Sequence, residues 1–186
     1  MKKITIGTAQ INNGFSGQYY LPYSIGLLQA YFLHNSKNSK KFHFTDTIYK
    51  REEFGDCVKK LLNSNIVLLS LYVWNEKITL AIAKKLKELD KSKFIIIGGP
   101  SVPDNIDGRA ESFLRKNNFI DVCIHQEGER TVLKLLDEFP NNNLIDTPNI
   151  SYIKNNKYFN NPNLTRLKNF ENSPSPYLCG IFDDLI

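Results

Sequence analysis

A chain of 186 residues, with 41% hydrophobic and 23% charged residues, is long enough for one α/β domain with its own core and too short for two full domains. The net charge of +5 comes from lysines interleaved with acidic residues, without a basic stripe or stacking aromatics, so we expect no nucleic-acid partner. No apolar run approaches the roughly 20 residues that cross a bilayer. We therefore expect a cytoplasmic protein without a membrane partner.

The cysteines indicate reduced thiols. Cys57, Cys123 and Cys179 are far apart in the chain and form no C-x-x-C pair. An odd number at this spacing argues against a disulfide framework and against a zinc site.

The first elements alternate between strand and helix. Lys3–Thr8 reads as a short strand, a polar loop spans residues 10–20, and Leu21-Pro22 opens a helix to about His34, because proline is tolerated in the first helical turn. Phe42–Asp46 is a weaker second strand.

The rest of the first 146 residues repeats the same alternation. Apolar runs without a period of two predict strands buried on both faces, at Ile66–Ser70, Phe94–Gly98 and Ile120–Ile124. Apolar positions at helical spacing predict four helices, marked by Phe54, Val58, Leu61 and Leu62; Ile78, Ala81, Ile82 and Leu89; Ala110, Phe113 and Leu114; and Val132, Leu135, Leu136 and Phe139. Five β-α units predict a doubly wound, five-stranded parallel sheet in the flavodoxin-like order 2-1-3-4-5.

The pattern changes after Pro140. Asn149–Lys154 and Lys157–Asn160 predict a small hairpin turning at Asn155-Asn156, since asparagine tolerates the positive φ of a tight turn. We therefore divide the chain into an α/β domain at residues 1–146 and a hairpin with a linker at residues 147–186.

The linker carries more apolar residues than a solvated tail would. They are Tyr177, Leu178, Ile181, Phe182 and Leu185. We expect them to pack against a following domain, or against this domain's own surface where that domain is missing. Deleting residues 174–186 should then cost the isolated domain little stability.

The carboxyl ends of the strands predict a ligand site. Ser70 ends one strand, Gly98-Gly99-Pro100 ends the next, and Gln126-Glu127-Gly128-Glu129 follows the last. Open α/β sheets bind ligands at this edge, and glycines let a ligand approach the backbone. If Gly99 lines the ligand groove, Gly99→Val should block binding while the fold survives. The surface is broad and mostly uncharged, which suits a large, flat ligand with many amide groups.

Three other ligand classes fit this edge less well. A phosphate-accepting receiver needs carboxylates where Ser70 and Thr8-Ala9-Gln10 stand. A dinucleotide fold needs G-x-G-x-x-G after the first strand, and Gly14, Gly17 and Gly26 have the wrong spacing. The loop after the first strand is too long for a flavodoxin phosphate loop, so flavin mononucleotide stays a weaker alternative.

Taken together, four motifs resemble the N-terminal cobalamin-binding domain of B12-dependent radical S-adenosylmethionine enzymes. They are the helix opening Leu21-Pro22-x-x-Ile25-Gly26-Leu27-Leu28, the serine at position 70, Gly98-Gly99, and Gln126-Glu127-Gly128-Glu129. The family has Gly-Glu-Gly-Glu in the last motif, so Gln126 replaces its first glycine. Asn172-Ser173-Pro174-Ser175-Pro176, after the hairpin, is similar to the family's exit toward its radical barrel. The resemblance covers nearly the whole chain.

The resemblance implies cobalamin as cofactor and a set of residues that contact it. They are Gln10, Tyr20, Pro22, Ser70, Tyr72, Trp74, Gly98, Gly99, Pro100, Glu127, Gly128 and Glu129. The two adjacent glycines would face the nucleotide tail, Ser70 would donate to that tail, and Gly128 would offer its N–H to the corrin amides. The alternatives are a strand-to-loop turn, a helix cap before Asn75, and an aromatic cluster of Tyr72, Val73 and Trp74 that packs against the next domain.

Two departures from other corrinoid proteins shape the functional expectation. Gln10–Gly14 lacks the histidine of an Asp-x-His-x-x-Gly motif, so we expect base-off cobalamin without a histidine ligand, and His125 as a loop hydrogen-bonder. The family's Cys-x-x-x-Cys-x-x-Cys loop is also absent.

We therefore expect S-adenosylmethionine and a [4Fe-4S] cluster only in a following C-terminal radical domain of the same polypeptide. The enzyme would perform methyl transfer or a related radical reaction on a substrate that the sequence does not identify. A non-catalytic module that has lost the corrinoid is the alternative from a different class.

Overall fold

The computed structural model describes residues 3–141, 143–166 and 173–185. Part of the predicted linker, including Asn172 of the exit segment, lies outside the described residues. The main strands are β1 (Ile4–Ala9), β2 (Phe42–Phe44), β3 (Ile66–Ser70), β4 (Phe94–Gly98), β5 (Val122–Ile124), β6 (Ile150–Lys154) and β7 (Lys157–Asn160). The α-helices are α1 (Tyr23–Asn35), α2 (Phe54–Leu61), α3 (Glu76–Leu89), α4 (Arg109–Lys116) and α5 (Glu129–Asp137).

The sheet has the predicted doubly wound topology. Its order is β2-β1-β3-β4-β5-β6-β7, with parallel pairing from β2 through β5. The predicted hairpin is confirmed, with Asn155 at φ 51° and Asn156 at φ 61°. Its first strand pairs antiparallel with β5, Ile124 opposite Ile150, so the hairpin extends the expected five strands to seven.

Two layers of helices cover the sheet. Apolar side chains of α2, α3 and α4 pack on one face with Val67, Leu69 and Ile95. On the other face, α1 and α5 pack on residues such as Leu68 and Ile96. Both faces of the central strands are therefore buried, which is why their sequences do not alternate.

Two local predictions need correction. The loop after β1 contains a small antiparallel hairpin, Gly14–Phe15 with Gln18–Tyr19. In α3, Ala81 is exposed and Leu89 is 52% exposed, while Thr79, Ile82, Ala83 and Leu86 face the core. The apolar pattern straddles two faces of the helix, whereas the buried face includes the hydroxyl-bearing Thr79.

The C-terminal segment packs on α1. Phe182 is 1% exposed and lies so close to Gly26 that a Cβ there would come within 2.3 Å of its Cζ. Its ring meets Tyr177 edge-on at 5.0 Å, and Tyr177 stacks on Tyr23 at 6.0 Å. The segment covers this domain's own helix, so the expectation that its deletion costs little stability is corrected. Leu178 remains 90% exposed.

Candidate functional site

A cavity of about 640 Å³ opens at the carboxyl ends of β3, β4 and β5, between α1 and α5. We call it the strand-end pocket. Its inner wall is apolar, formed by Ile25 and Leu28 from α1, Leu68 and Ile96 from the sheet, and Val132 from α5. Polar groups come from the loops that follow the strands, as expected for an open α/β sheet.

The structure brings eight of the twelve candidate residues to this pocket. Ser70, Tyr72, Gly98, Gly99, Pro100, Glu127, Gly128 and Glu129 line it. Gln10, Tyr20, Pro22 and Trp74 are outside its lining.

The two adjacent glycines have different roles. Gly99 has φ +107°, and a Cβ there would lie 2.6 Å from the carbonyl oxygen of Leu71, so the turn itself requires glycine. A Cβ at Gly98 would meet only Ile124, at an ordinary 3.6 Å. The clash with the backbone at Leu71 corrects the expectation that Gly99→Val leaves the fold intact. Gly98 is the position where a side chain would enter the pocket.

Ser70 presents a free hydroxyl to the pocket. The side chain is 5% exposed and has no hydrogen-bond partner within the described part of the chain. The N-cap of α3 is Asn75, whose side chain accepts from the Tyr72 N–H at 2.8 Å and donates to the Ser70 carbonyl at 3.1 Å. The loop is therefore held by Asn75, which leaves the serine hydroxyl available to a ligand.

The four candidates outside the lining have structural contacts or solvent exposure instead. Gln10 is 5% exposed, and its Oε1 accepts from the Ile25 N–H at 3.2 Å. Pro22 is the N-cap of α1, and Tyr20 is 79% exposed. Trp74 stacks on the Tyr72 ring, with centroids 4.6 Å apart and planes at 16°.

The loop after β5 combines a strained backbone with a carboxyl group that has one oxygen shielded from solvent. Gln126 has φ +58°, a left-handed conformation that glycine adopts without cost, so the residue that departs from the family motif stands where glycine fits best. Gly128 is the N-cap of α5. Glu129 begins the helix, and its Oε2 is shielded from solvent without a hydrogen-bond partner among the described residues. Burial raises the pKa of Glu129.

His125 lines the pocket but is committed to a protein partner. Its Nε2 lies 2.8 Å from Ser151 Oγ on β6, and its backbone N–H donates to the Asn149 carbonyl at 2.8 Å. Burial lowers the pKa of His125, with Asp104 acting in the opposite direction. The imidazole is therefore held in place by its bond to Ser151.

Several lining residues were missed in the sequence. Tyr23 and Ser24 begin α1, Asn160 ends β7, and Asn163 and Arg166 follow the hairpin. Ser24 Oγ and Tyr72 Oη are 2.7 Å apart, which joins α1 to the loop after β3. The helix-opening motif points to the start of α1, whereas the residues after the hairpin have no local signal because only long-range pairing brings them to the pocket.

A metal-binding cluster and a membrane-spanning helix are both absent from the described residues. No group of three or more His, Cys, Asp or Glu side chains in residues 3–141, 143–166 and 173–185 is placed to hold a metal ion. Cys57 and Cys123 are buried, and burial raises the pKa of Cys123 to about 12. Over the same residues, no helix has the length and apolar character needed to cross a membrane.

Comparison with known proteins gives relatives of one kind. No protein-family model matches the chain. The cobalamin-dependent radical SAM methyltransferase TokK from Streptomyces tokunonensis is 27% identical over 177 residues, which cover 93% of this chain and 25% of TokK. The 2-(S-pantetheinyl)-carbapenam-3-carboxylate methyltransferase from Streptantibioticus cattleyicolor is 26% identical over 179 residues, with coverage of 93% and 25%.

Solved structures agree with these relatives. The cobalamin-dependent S-adenosylmethionine radical enzyme OxsB, with aqua-cobalamin and S-adenosylmethionine bound, superposes with a TM-score of 0.72 at 19% identity, over 98% of this chain and 25% of OxsB. OxsB with aqua-cobalamin alone gives a TM-score of 0.69. The resemblance found in the sequence is confirmed, and the chain spans about a quarter of the length of these relatives.

Proposed function

We propose that this domain binds cobalamin in the strand-end pocket, as the cobalamin-binding part of a larger radical S-adenosylmethionine enzyme that transfers methyl groups or performs a related radical reaction. The observation that carries the proposal is the pocket itself. A cavity of about 640 Å³ with an apolar inner wall lies at the ligand edge of a sheet that has the fold of a cobalamin-dependent enzyme.

The residues present fit such a ligand. Cavities of roughly 300–1,000 Å³ with apolar walls and a few polar groups are typical of cofactor sites. The apolar wall of Leu68, Ile96 and Val132 suits a flat aromatic base, and the uncovered backbone at Gly98 leaves room beside it. Ser70 and Glu129 supply a hydroxyl and a carboxyl oxygen without partners in the described chain. When bound, cobalamin supplies a cobalt centre that accepts and donates a methyl group.

The arrangement of the histidines supports base-off cobalamin without an imidazole ligand. His125 is bonded to Ser151 at 2.8 Å. His34 lies near the end of α1 and His43 in β2, both exposed and outside the pocket lining. We expect His125→Gln, which keeps a hydrogen-bonding side chain, to leave the absorption spectrum of the bound corrinoid unchanged. A shifted spectrum would show that this histidine contacts the cobalt.

Titration with hydroxocobalamin tests the proposal directly. The purified domain should retain the corrinoid through gel filtration, and its ultraviolet-visible spectrum should be that of a base-off form. Free hydroxocobalamin passing through unbound would favour the non-catalytic module, and a yellow protein that releases flavin mononucleotide would favour the flavodoxin-like alternative. The Gly98→Val variant, in which a side chain takes up space in the pocket, should bind hydroxocobalamin more weakly than the wild type.

The remaining parts of the proposal concern the whole enzyme. Because the relatives are about four times longer than this chain, we place S-adenosylmethionine and the [4Fe-4S] cluster in a C-terminal radical domain of the same polypeptide. The coding sequence should contain a Cys-x-x-x-Cys-x-x-Cys motif beyond residue 186. The division at residues 146 and 147 stays a prediction, as does a cytoplasmic location.

A further inference from the structure

Glu129 is an ionisable group at the strand-end pocket with an unmet hydrogen-bonding need. It is the first residue of α5, it lines the pocket, and its shielded Oε2 has no partner in the described part of the chain. A buried carboxyl oxygen without a donor loses the hydrogen bonds that water would give it. Native structures rarely keep such an atom unless something else supplies the donor.

The charged and titratable neighbours do not supply that donor. The Arg130 guanidinium donates to the Thr165 carbonyl, and His125 is bonded to Ser151. Arg166 also lines the pocket but makes no hydrogen bond to Glu129 Oε2, and the lining residue Asp104 pairs with Arg109 at 2.6 Å. The pKa of Glu129 is raised by burial first and by Glu127 second, with the Glu129 backbone N–H and Arg130 opposing. These groups leave room for a donor that arrives with the ligand.

We propose that Glu129 is a specificity-determining residue that accepts a hydrogen bond from a neutral N–H donor of the ligand and rejects a carboxylate at the same point. This inference rests on the proposed cobalamin binding and deepens it. The edge of a corrin carries primary amides, and an amide N–H to a carboxylate makes a charge-assisted hydrogen bond. A carboxylate in place of that amide would face the Glu129 carboxylate, whose Oε2 is shielded from solvent, and like charges repel.

Discrimination between hydroxocobalamin and its carboxylic-acid derivatives tests this inference. The ligands are hydroxocobalamin and its separated monocarboxylic acids, in which one peripheral amide is a carboxylate, and the readout is the dissociation constant from spectral titration at neutral pH. For the wild type, we expect one of the acids to bind about 10-fold or more weakly than the amide form, the size of one charge-assisted hydrogen bond. Glu129→Gln should bring that ratio close to one, because the glutamine amide can donate to a carboxylate.

Glu138→Gln is the matched control. Glu138 is the C-cap of the same helix, its Oε2 is also shielded and unpartnered in the described chain, and it is outside the pocket lining. The same chemical change there should leave the wild-type ratio intact. A ratio that falls equally in both variants would mean that the effect comes from the helix and not from the pocket, and would overturn the inference.

The possible failures are distinguishable. If the wild type does not bind hydroxocobalamin, the proposed function is wrong and the inference falls with it. If the wild type binds but none of the acids binds more weakly, or if Glu129→Gln keeps the wild-type ratio, only the inference is wrong. The ratio of dissociation constants for the wild type is measured without any variant, so this part of the test does not depend on whether a variant folds.

The ligand-free protein gives a second readout. Because burial raises the folded-state pKa of Glu129, this group destabilises the fold as pH rises through that pKa. Glu129→Gln should therefore raise the melting temperature at pH 7 more than at pH 4. A melting temperature with the same pH dependence as the wild type would contradict a carboxylate whose shielded Oε2 lacks a donor.

Discussion

Truncating Phe182 tests whether the C-terminal segment belongs to the core of this domain. The ring is 1% exposed, lies on Gly26 of α1 and meets Tyr177 edge-on at 5.0 Å. Removing a fully buried phenylalanine costs about 3–5 kcal/mol, and the aromatic pair adds about 0.5–1.5 kcal/mol beyond burial. Because the segment is at the C-terminus, the loss of stability cannot exceed the free energy with which the segment packs on α1. We therefore expect Phe182→Ala to lower the free energy of unfolding by about 3 kcal/mol, measured by urea denaturation.

The contact with Gly26 allows a sharper test by double mutation. A Cβ at Gly26 would lie 2.3 Å from the Phe182 ring, so Gly26→Ala should displace the ring and destabilise the wild type. In the Phe182→Ala background the clash with the ring is gone, and Pro176 Cβ, 3.2 Å from the added Cβ, needs to move only a few tenths of an ångström. Alanine should then stabilise the helix by up to about 1 kcal/mol relative to glycine. The sign of the Gly26→Ala effect should therefore reverse between the two backgrounds.

Two controls separate packing from general effects. Leu178→Ala changes a side chain that is 90% exposed, so its stability should change by less than about 0.5 kcal/mol. Gly55 lies in α2, and a Cβ added there would have nothing within 4 Å, so Gly55→Ala should be neutral or stabilising in both backgrounds. A Phe182→Ala variant as stable as the wild type, or a Gly26→Ala change that stabilises the wild type, would refute the packing argument.

Two further substitutions concern the pocket. Gly98→Val should keep the fold, because a Cβ there meets only Ile124 at 3.6 Å, and should weaken hydroxocobalamin binding by about 10-fold or more, because the added side chain takes up ligand space. Gly99→Val should instead lower the melting temperature sharply. Equal effects of the two variants on binding and on melting temperature would contradict this assignment. Gln126→Gly should raise the free energy of unfolding by about 1 kcal/mol, since a left-handed residue other than glycine costs roughly 1–2 kcal/mol. Gln126→Ala, which keeps that cost, is its control, and equal stability of the two variants would show that the backbone at φ +58° is not strained.

Local signals in the sequence were enough to predict the sheet and its ligand edge. Unalternating apolar runs identified strands such as Ile66–Ser70, whose bounds match the structure, because burial on both faces leaves no reason for polar alternation. Gly98-Gly99 marked the end of the next strand, and Asn155-Asn156 marked the hairpin turn. Each of these features depends on residues adjacent in the chain.

Features set by long-range packing were out of reach. Nothing in the sequence of the hairpin says that Ile150 pairs with Ile124, and nothing near Phe182 says that its ring lies on Gly26. Gln10 was expected at the ligand from the resemblance to cobalamin-binding domains, yet its amide oxygen accepts from the Ile25 N–H at the start of α1. Polar residues at strand ends either contact a ligand or satisfy backbone groups, and only the three-dimensional neighbours distinguish the two.

The buried asparagines bear on how the pocket keeps its shape. Asn75 and Asn149 are 1% and 2% exposed. Asn149 donates to the Glu127 carbonyl at 3.3 Å and accepts from the Leu164 N–H at 2.6 Å, so it ties the loop after β5 to the chain after the hairpin.

Asn161 extends this bracing, donating to the carbonyls of Leu144 and Thr147, each at 2.6 Å. Buried side-chain amides that satisfy loop backbones remove alternative conformations, because breaking them would leave polar groups unpaired. A ligand that binds in the strand-end pocket then loses little binding free energy to the ordering of the loops. The polar atoms that the loops leave without partners in the described chain, at Ser70 and Glu129, are for this reason the ones we assign to the ligand.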